Sequence, residues 1–228
     1  FWSGKYHYDM NTRDTLETRL NVLTELDPKL NAEYRATKYL MLGNLDPKVQ
    51  AKVLDQVEHP AMVVLDTMNF WMDSAMDQLK EVIKRVDILT INDSEARQLS
   101  GEHSLVKAAH VIMDMGPKFL VVKKGEHGAL LFNKKNVFFA PALPLDEVVD
   151  PTGAGDTFAG GFIGFLAHSG DHSFNNLKRA IIVGSALASF CCEKFGVQRL
   201  LEIDREDIDR RINQFVELVD FDIQVVND

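Results

Sequence analysis

Cysteine is almost missing from this chain: the two present, Cys191 and Cys192, are neighbours. Consecutive side chains on a helix diverge by about 100°, a separation that disulfide geometry does not accommodate. With no Cys-x-x-Cys spacing, a zinc or dithiol redox site is excluded as well. Long apolar runs are lacking too. The two longest, Phe158 to Ala167 and the serine-interrupted Ala180 to Cys192, are too short to span a bilayer, so no membrane partner is expected. Positive charge is in deficit, with a formal net charge of -9. That balance argues against a nucleic-acid partner, which clustered Lys and Arg would have to hold. The histidines fall at no metal-ligand spacing. No charged leader followed by a hydrophobic region opens the chain, and its first residue is Phe1 in place of Met. It therefore reads as an N-terminally incomplete chain from a reducing cytoplasm.

What is present suits a folded protein, since 228 residues with 46% hydrophobic content can bury a real core. From about residue 38, short apolar runs alternate with helical stretches. Tyr39-Leu-Met-Leu42, Met62-Val-Val-Leu65, Asp87-Ile-Leu-Thr-Ile91 and Phe119-Leu-Val-Val122 read as strands, with helices from Pro47 to Val57, up to about Arg85, from Ser94 and from Ser104. Regular alternation of this kind predicts an α/β fold with a doubly wound, mostly parallel sheet and flanking helices. Leu130–Phe132 and Val137–Phe139, joined by Asn133-Lys-Lys-Asn136, predict an antiparallel hairpin. Three helices follow: one from near Asp156 to Gly170, one from about Ser173 to Gly196, and one capped by Asp204. Residues 1–36 differ in character. Trp2, Tyr6 and Tyr8 alternate with period two, so this segment reads as a small β flap with a linker, and residues 37–228 as the α/β domain.

In an open parallel sheet, ligands sit beyond the carboxyl ends of the strands. Four predicted strands end in polar residues there: Gly43-Asn44, Asp66-Thr-Met-Asn69, Asn92-Asp-Ser-Glu95 and Lys123-Lys-Gly125. Asn, Asp and Gly are also ordinary turn and cap residues, so no single edge decides the matter. Together they predict a cleft.

The sharpest feature is Val149-Asp-Pro-Thr-Gly-Ala-Gly-Asp-Thr-Phe158, leading into an apolar helix. Glycines at 153 and 155 let several backbone N–H groups point one way at a helix N-terminus, which makes an anion site. A carboxylate beside such a site, here Asp156, is placed to take a proton from an attacking hydroxyl during phosphoryl transfer. The P-loop spacing is absent, and Phe158 stands where a dinucleotide-binding pattern needs its third glycine. A plain helix N-cap is the bland reading of Asp156. Gly160, Gly161 and Gly164 in the helix that follows predict close approach of another backbone or of a nucleotide.

At these residues the chain resembles the ribokinase-like, or PfkB-type, carbohydrate kinases, over roughly residues 38 to 200. Asp150-Pro-Thr-Gly-Ala-Gly-Asp156 is similar to the family signature, and Asn92-Asp-Ser-Glu95 to its Asn-x-x-Glu motif. The resemblance implies ATP and Mg²⁺ as cofactors, Asp156 as catalytic base, and Gly153, Ala154 and Gly155 around the migrating charge. It implies that Asn92 and Glu95 serve the nucleotide, Glu95 placing magnesium through water. Gly125-Glu-His-Gly128 resembles the family turn over the nucleotide. Lys123 stands where many members carry threonine, and a lysine there can meet phosphate as a point charge. Ile182 to Phe190 resembles the helix beside the adenine. Asp66 and Asn69, at a strand end, are candidates for the acceptor or phosphate. The resemblance also implies a monovalent cation such as K⁺ near Asp150, Thr152 and the Gly196 turn, and a flap that covers the acceptor and can mediate a homodimer. The expected partner is a sugar or sugar-like small molecule. The alternatives are a nucleoside or vitamin-precursor kinase on the same fold, or a non-catalytic nucleotide or sugar sensor.

Overall fold

A computed structural model describes residues 1–220 of the chain. In chain order its elements are β1 (Trp2–Tyr6), β2 (Arg13–Thr18), α1 (Ala32–Arg35), β3 (Tyr39–Leu42), α2 (Pro47–Leu54), β4 (Met62–Asp66), α3 (Asn69–Ser74), α4 (Met76–Ile83), β5 (Ile88–Asn92), α5 (Asp93–Ser100), α6 (Leu105–Met113), β6 (Phe119–Lys123), β7 (Ala129–Phe132), β8 (Val137–Ala140), α7 (Ala154–Ser169), α8 (Phe174–Cys191) and α9 (Arg205–Val219). Strands β3 to β8 form one sheet in sequential order, parallel from β3 to β6 and antiparallel from β6 to β8. The expected α/β sheet with a hairpin at one end is what forms.

Alternation along the strands explains the layers. In β4, Val63 and Leu65 face α3 to α6, packing with Trp71, Leu79, Val82, Ala96, Leu99 and Ile112. Met62 and Val64 point the other way, onto Phe158, Phe162, Leu166 and Ile181 of α7 and α8. A parallel strand buried on both faces must be apolar throughout, and all five residues of β4 are buried. Handedness does the rest: right-handed crossovers between successive parallel strands carry the connecting helices to one face, leaving the other to α7 and α8.

Local signals set the helix starts. Asp46 accepts from Lys48 N–H with Pro47 at the first helical position. Asn92 and Asp204 form reciprocal caps with Glu95 and Asp207, and Ser173 caps α8.

Four expectations need correction. The helix expected to run to about Arg85 is two, interrupted at Ala75. Helix α8 stops at Cys191, five residues short of Gly196, because the Cys192 carbonyl accepts Val149 N–H (2.9 Å) from the loop leading into the glycine signature. Tyr8 is not on the flap strand but in the turn after it, fully exposed, where Asp9 Oδ1 accepts the N–H groups of Asn11 and Thr12 and closes the β1–β2 connection. The helical glycines of α7 are not alike. A Cβ at Gly161 would lie 2.7 Å from Leu187 and 3.2 Å from the Gly184 Cα, whereas Gly160 and Gly164 meet nothing within 4 Å.

The tight crossing of α7 on α8 is thus fixed by Gly161 and Gly184, where an added Cβ at Gly184 would sit 2.7 Å from the Phe158 carbonyl oxygen. Gly184→Ala is expected to lower stability by about 1–3 kcal/mol through overpacking. Gly160→Ala, at an open helical position, is expected to raise it by about 0.5–1 kcal/mol. Urea unfolding of the two variants checks this, and equal shifts of one sign would contradict the packing account.

Candidate active site

Helix α7 begins without a side-chain cap. Its N-cap is Gly153 at φ 86°, ψ -2°, a left-handed conformation that glycine adopts at little cost. Asp156 is therefore the third residue of the helix, exposed, its side chain holding no hydrogen bond or ion pair among the described residues. The N-cap reading of Asp156 does not hold. Ala154 N–H is used by the Pro151 carbonyl (3.1 Å), while the N–H groups of Gly155 and Asp156 find no acceptor among the described residues. Free N–H groups at a helix N-terminus, with an exposed carboxylate at the same turn, are an arrangement that can bind an anion beside a proton acceptor.

Beneath this turn lies a buried ion pair. Strands β4, β5 and β6 run parallel side by side, so Asp66 ends β4 and Lys123 ends β6 on the same edge. Lys123 Nζ donates to Asp66 Oδ2 at 2.8 Å, the two side chains being 19% and 7% exposed. The same ammonium is what a Cβ on Gly155 would meet, at 3.4 Å. Burial pushes the Asp66 carboxyl above its usual range; Lys123 and the Thr67 N–H pull it down, and the negative charge of Asp156 pushes it up again.

Glu95 is reached from the strand between them. Its Oε2 accepts Asn92 N–H (2.7 Å) and Asn92 Oδ1 accepts Glu95 N–H (2.8 Å), so the Asn-x-x-Glu spacing is realised as a capping box. The carboxyl is buried, which pushes it up to about 7 against the Asn92 hydrogen bond and the charges of Lys123 and Arg13. No group of three His, Cys, Asp or Glu side chains among the described residues converges to hold a metal. A magnesium ion would fit Glu95 through its water shell, as one carboxylate oxygen is already committed to the helix cap.

A cavity of about 440 Å³ opens beside the glycine loop, within the range of small-ligand sites. Lys123, Gly125, Gly128 and Gly155 line one part, and Ser185, Ala188 and Ser189 of α8 another. Gly125 and Gly128 both have positive φ (54° and 83°), and a Cβ at Gly128 would lie 2.0 Å from the Ala140 carbonyl, so the turn can pack on β8 only as glycine. The flap reaches this cavity too. Its turn residues Asp9, Met10 and Asn11 line it, Asn11 rests against Gly125, and Thr152 Oγ1 meets Tyr6 Oη at 3.2 Å. Nothing in the sequence pointed to that contact, which joins residues 146 apart.

The remaining expected residues lie as follows. Asp150 Oδ1 accepts Thr152 N–H (2.9 Å), and the Cys191 thiol lies 3.7 Å from the Thr152 carbonyl and 3.8 Å from that of Gly196. The three pieces expected around a monovalent cation are thus adjacent. Asn69 is drawn aside, its amide bonded to Gln98 of α5, and it does not line the cavity. Asn44, at the end of β3, accepts Trp71 Nε1–H (2.9 Å) and lines a second cavity of about 200 Å³ under the base of the flap.

A model of the pfkB family carbohydrate kinases matches residues 11–204. A cytidine kinase from Thermococcus kodakarensis is 33% identical over 135 residues, covering 58% of this chain and 48% of that protein. Among solved structures, ribokinase from Arabidopsis thaliana complexed with ribose and ATP superimposes with a TM-score of 0.63 at 25% identity, covering 78% of this chain and 57% of that one. A nucleoside kinase from Methanocaldococcus jannaschii gives a TM-score of 0.67 at 22% identity, covering 89% and 64%. The chain spans about half or less of the length of the curated relatives it matches.

The elevated Glu95 carboxyl carries a pH signature. Its folded-state value near 7 lies above the unfolded 4.5, so the folded state favours the protonated form. Stability from this group is full below about 4.5 and is lost as pH rises toward 7, by about 3 kcal/mol at most. Glu95→Gln, which keeps an acceptor for Asn92 N–H, is expected to gain stability relative to the native protein between pH 5 and pH 8, read by denaturant midpoints. A pH-independent difference would contradict the burial of a titrating carboxyl.

Proposed function

The chain belongs to the pfkB family of carbohydrate kinases, and from that premise we propose that it carries the phosphoryl-transfer site of an ATP-dependent kinase acting on a hydroxyl of a sugar or nucleoside. The observation that carries this reading is the exposed Asp156 carboxylate on the first turn of α7, next to the free N–H groups of Gly155 and itself and above the Lys123–Asp66 pair.

MgATP supplies the phosphoryl group when bound. The chain's own residues do the rest. The Gly153–Gly155 turn aims N–H donors and the positive end of α7 at an anion without any side chain having to reorganise, which is where electrostatic stabilisation is largest. Lys123 adds a point charge below the loop, held in place by Asp66. Asp156 accepts the proton of the acceptor hydroxyl, as a general base within reach of the same turn. Glu95 and Asn92 would hold magnesium through its water, the Gly125–Gly128 turn and the small residues of α8 would receive the nucleotide, and Asp150, Thr152 and the Gly196 turn would hold a potassium ion. The flap, residues 1–36, acts as a lid, and its exposed apolar residues Phe1, Leu16 and Val22 offer a surface for a second copy.

The acceptor class is open between two chemistries: ribose among the structural relatives and cytidine among the sequence relatives. A sensor reading has less support, because the glycine turn and Asp156 are both intact.

In the intact protein, Asp156→Asn is expected to keep MgADP affinity within twofold while cutting phosphoryl transfer by at least about 10²-fold. Assay against ribose, cytidine and related polyols both tests the base and names the acceptor. Near-native turnover by the folded variant would remove Asp156 from the mechanism.

A further inference from the structure

Trp2, Gly4 and Tyr6 alternate along β1 and so share one face of the flap. Tyr6 meets Thr152 of the glycine loop, which turns that face toward the body of the protein. At the other end of the face, Trp2 is folded over Gly4, in the direction of Tyr6. A Cβ on Gly4 would lie 2.2 Å from the indole, so only glycine leaves room for the ring there.

Across the second cavity from Trp2 stand Asn44 after β3, Met68 after β4, and Phe70 and Trp71 of α3. Phe70 and Trp71 meet edge to face, with centroids 4.8 Å apart. At about 200 Å³ the cavity is smaller than most small-molecule sites, and it suits a single ring. Of the charged groups at its rim, Asp46 caps α2 and Arg19 pairs with Glu17. The Asn44 amide is less fully used: Oδ1 accepts Trp71 Nε1–H, but Nδ2 donates only to the Met68 sulfur, a weak acceptor. An aromatic-walled slot with a spare amide donor matches a flat heterocycle with polar edges.

Distance decides what that ring is attached to. Trp2 and Tyr6 lie four residues apart on an extended strand, about 13 Å, and the reacting hydroxyl belongs at Asp156, in the turn that Tyr6 touches. The opposite wall gives the same order, since Asp66 under the glycine turn ends β4, and β4 lies beside β3, which leads to Asn44. A free pentose covers less than half of this interval. A pentose carrying a base covers most of it, and the reach of the indole over Gly4 closes the rest.

We propose that the acceptor is a nucleoside, its base held in the second cavity between the Trp2 ring and the Asn44 amide while its primary hydroxyl lies at Asp156. This rests on the kinase reading and deepens it by naming the acceptor class. Asp156 takes the hydroxyl proton as the hydroxyl oxygen takes the terminal phosphoryl group, leaving ADP and a nucleoside monophosphate. Arg13 stands over the Trp2 ring, its guanidinium carbon 5.0 Å from the ring centre. A cation–π contact at an exposed site is weaker than a base–aromatic stack, so the base displaces it.

The intact protein is assayed with MgATP against ribose, cytidine and adenosine. A base stack predicts kcat/KM for a nucleoside about 10- to 100-fold above that for ribose. Trp2→Leu is expected to lose about tenfold for nucleosides through KM, with kcat within about twofold and ribose unaffected, whereas Trp2→Phe, which keeps a ring, loses about threefold or less. Binding of a nucleoside alone quenches tryptophan emission, and Trp2→Phe removes most of that quench. MgADP affinity within about twofold of native shows that each variant is folded, since Trp2 lies outside the nucleotide cavity. Ribose phosphorylated as efficiently as either nucleoside, a Trp2→Leu loss equal for ribose and nucleosides, or transfer to neither nucleoside overturns the proposal and leaves the kinase reading standing. A native protein that binds no MgADP removes both.

Discussion

The buried pair between Asp66 and Lys123 is the contact on which the site depends. Two strand ends are joined across the one between them, which is possible only because β4, β5 and β6 are parallel, in sequential order and in matched register. Removing one member of such a pair leaves an uncompensated buried charge, at a cost on the order of 3–5 kcal/mol. The pair fixes the height of the lysine ammonium under Gly155 and sets a positive charge where the first turn of α7 already concentrates one. Lys123 is thus less a free phosphate ligand than one arm of a rigid, pre-oriented floor, the state electrostatic catalysis calls for.

Above that floor, the chain assembles its second wall from a helix that starts unconventionally. Most helices here are opened by a side-chain oxygen: Asp46, Asn92, Ser104, Ser173 and Asp204 each cap one. Helix α7 opens on Gly153 instead, leaving its N–H donors available and its third residue, Asp156, in solvent. Structural economy would place an Asp or Ser at that cap. Its absence is a local loss that a bound anion would restore. Packing carries the consequence outward, since the Cys192 carbonyl that holds Val149 also ends α8, and the α7–α8 crossing through Gly161 and Gly184 keeps the turn over the sheet edge.

Much of this was legible from residue order alone. Apolar runs of four or five residues separated by helix-length segments specify a parallel sheet, and polar residues at the carboxyl ends of β4, β5 and β6 lie along the edge of the candidate site, while Asn44 and Asn69 are turned away from its cavity. The glycine signature carries its own geometry. What could not be read depends on contacts distant in sequence. Lys123 and Asp66 are 57 positions apart, and neither residue type implies the other. The end of α8 is set by Val149, not by its own propensity. Gly160 and Gly161 are identical as letters, and only the packed neighbour at Gly184 separates them. The Asn-x-x-Glu motif shows a different limit: spacing that reads as a ligand set is at the same time a capping box, so one oxygen of Glu95 is committed to the helix and only the other is left for the proposed metal-bound water.

The central claim is that the first turn of α7, over the Lys123 floor, binds the phosphates of a nucleotide. Backbone amide chemical shifts followed during a MgADP titration address it directly. The account predicts saturable shifts at Gly155 and Asp156 together with Gly125 and Gly128, all fitting one dissociation constant, and little change along α9. Saturable binding that leaves the Gly155 and Asp156 amides unmoved would contradict it.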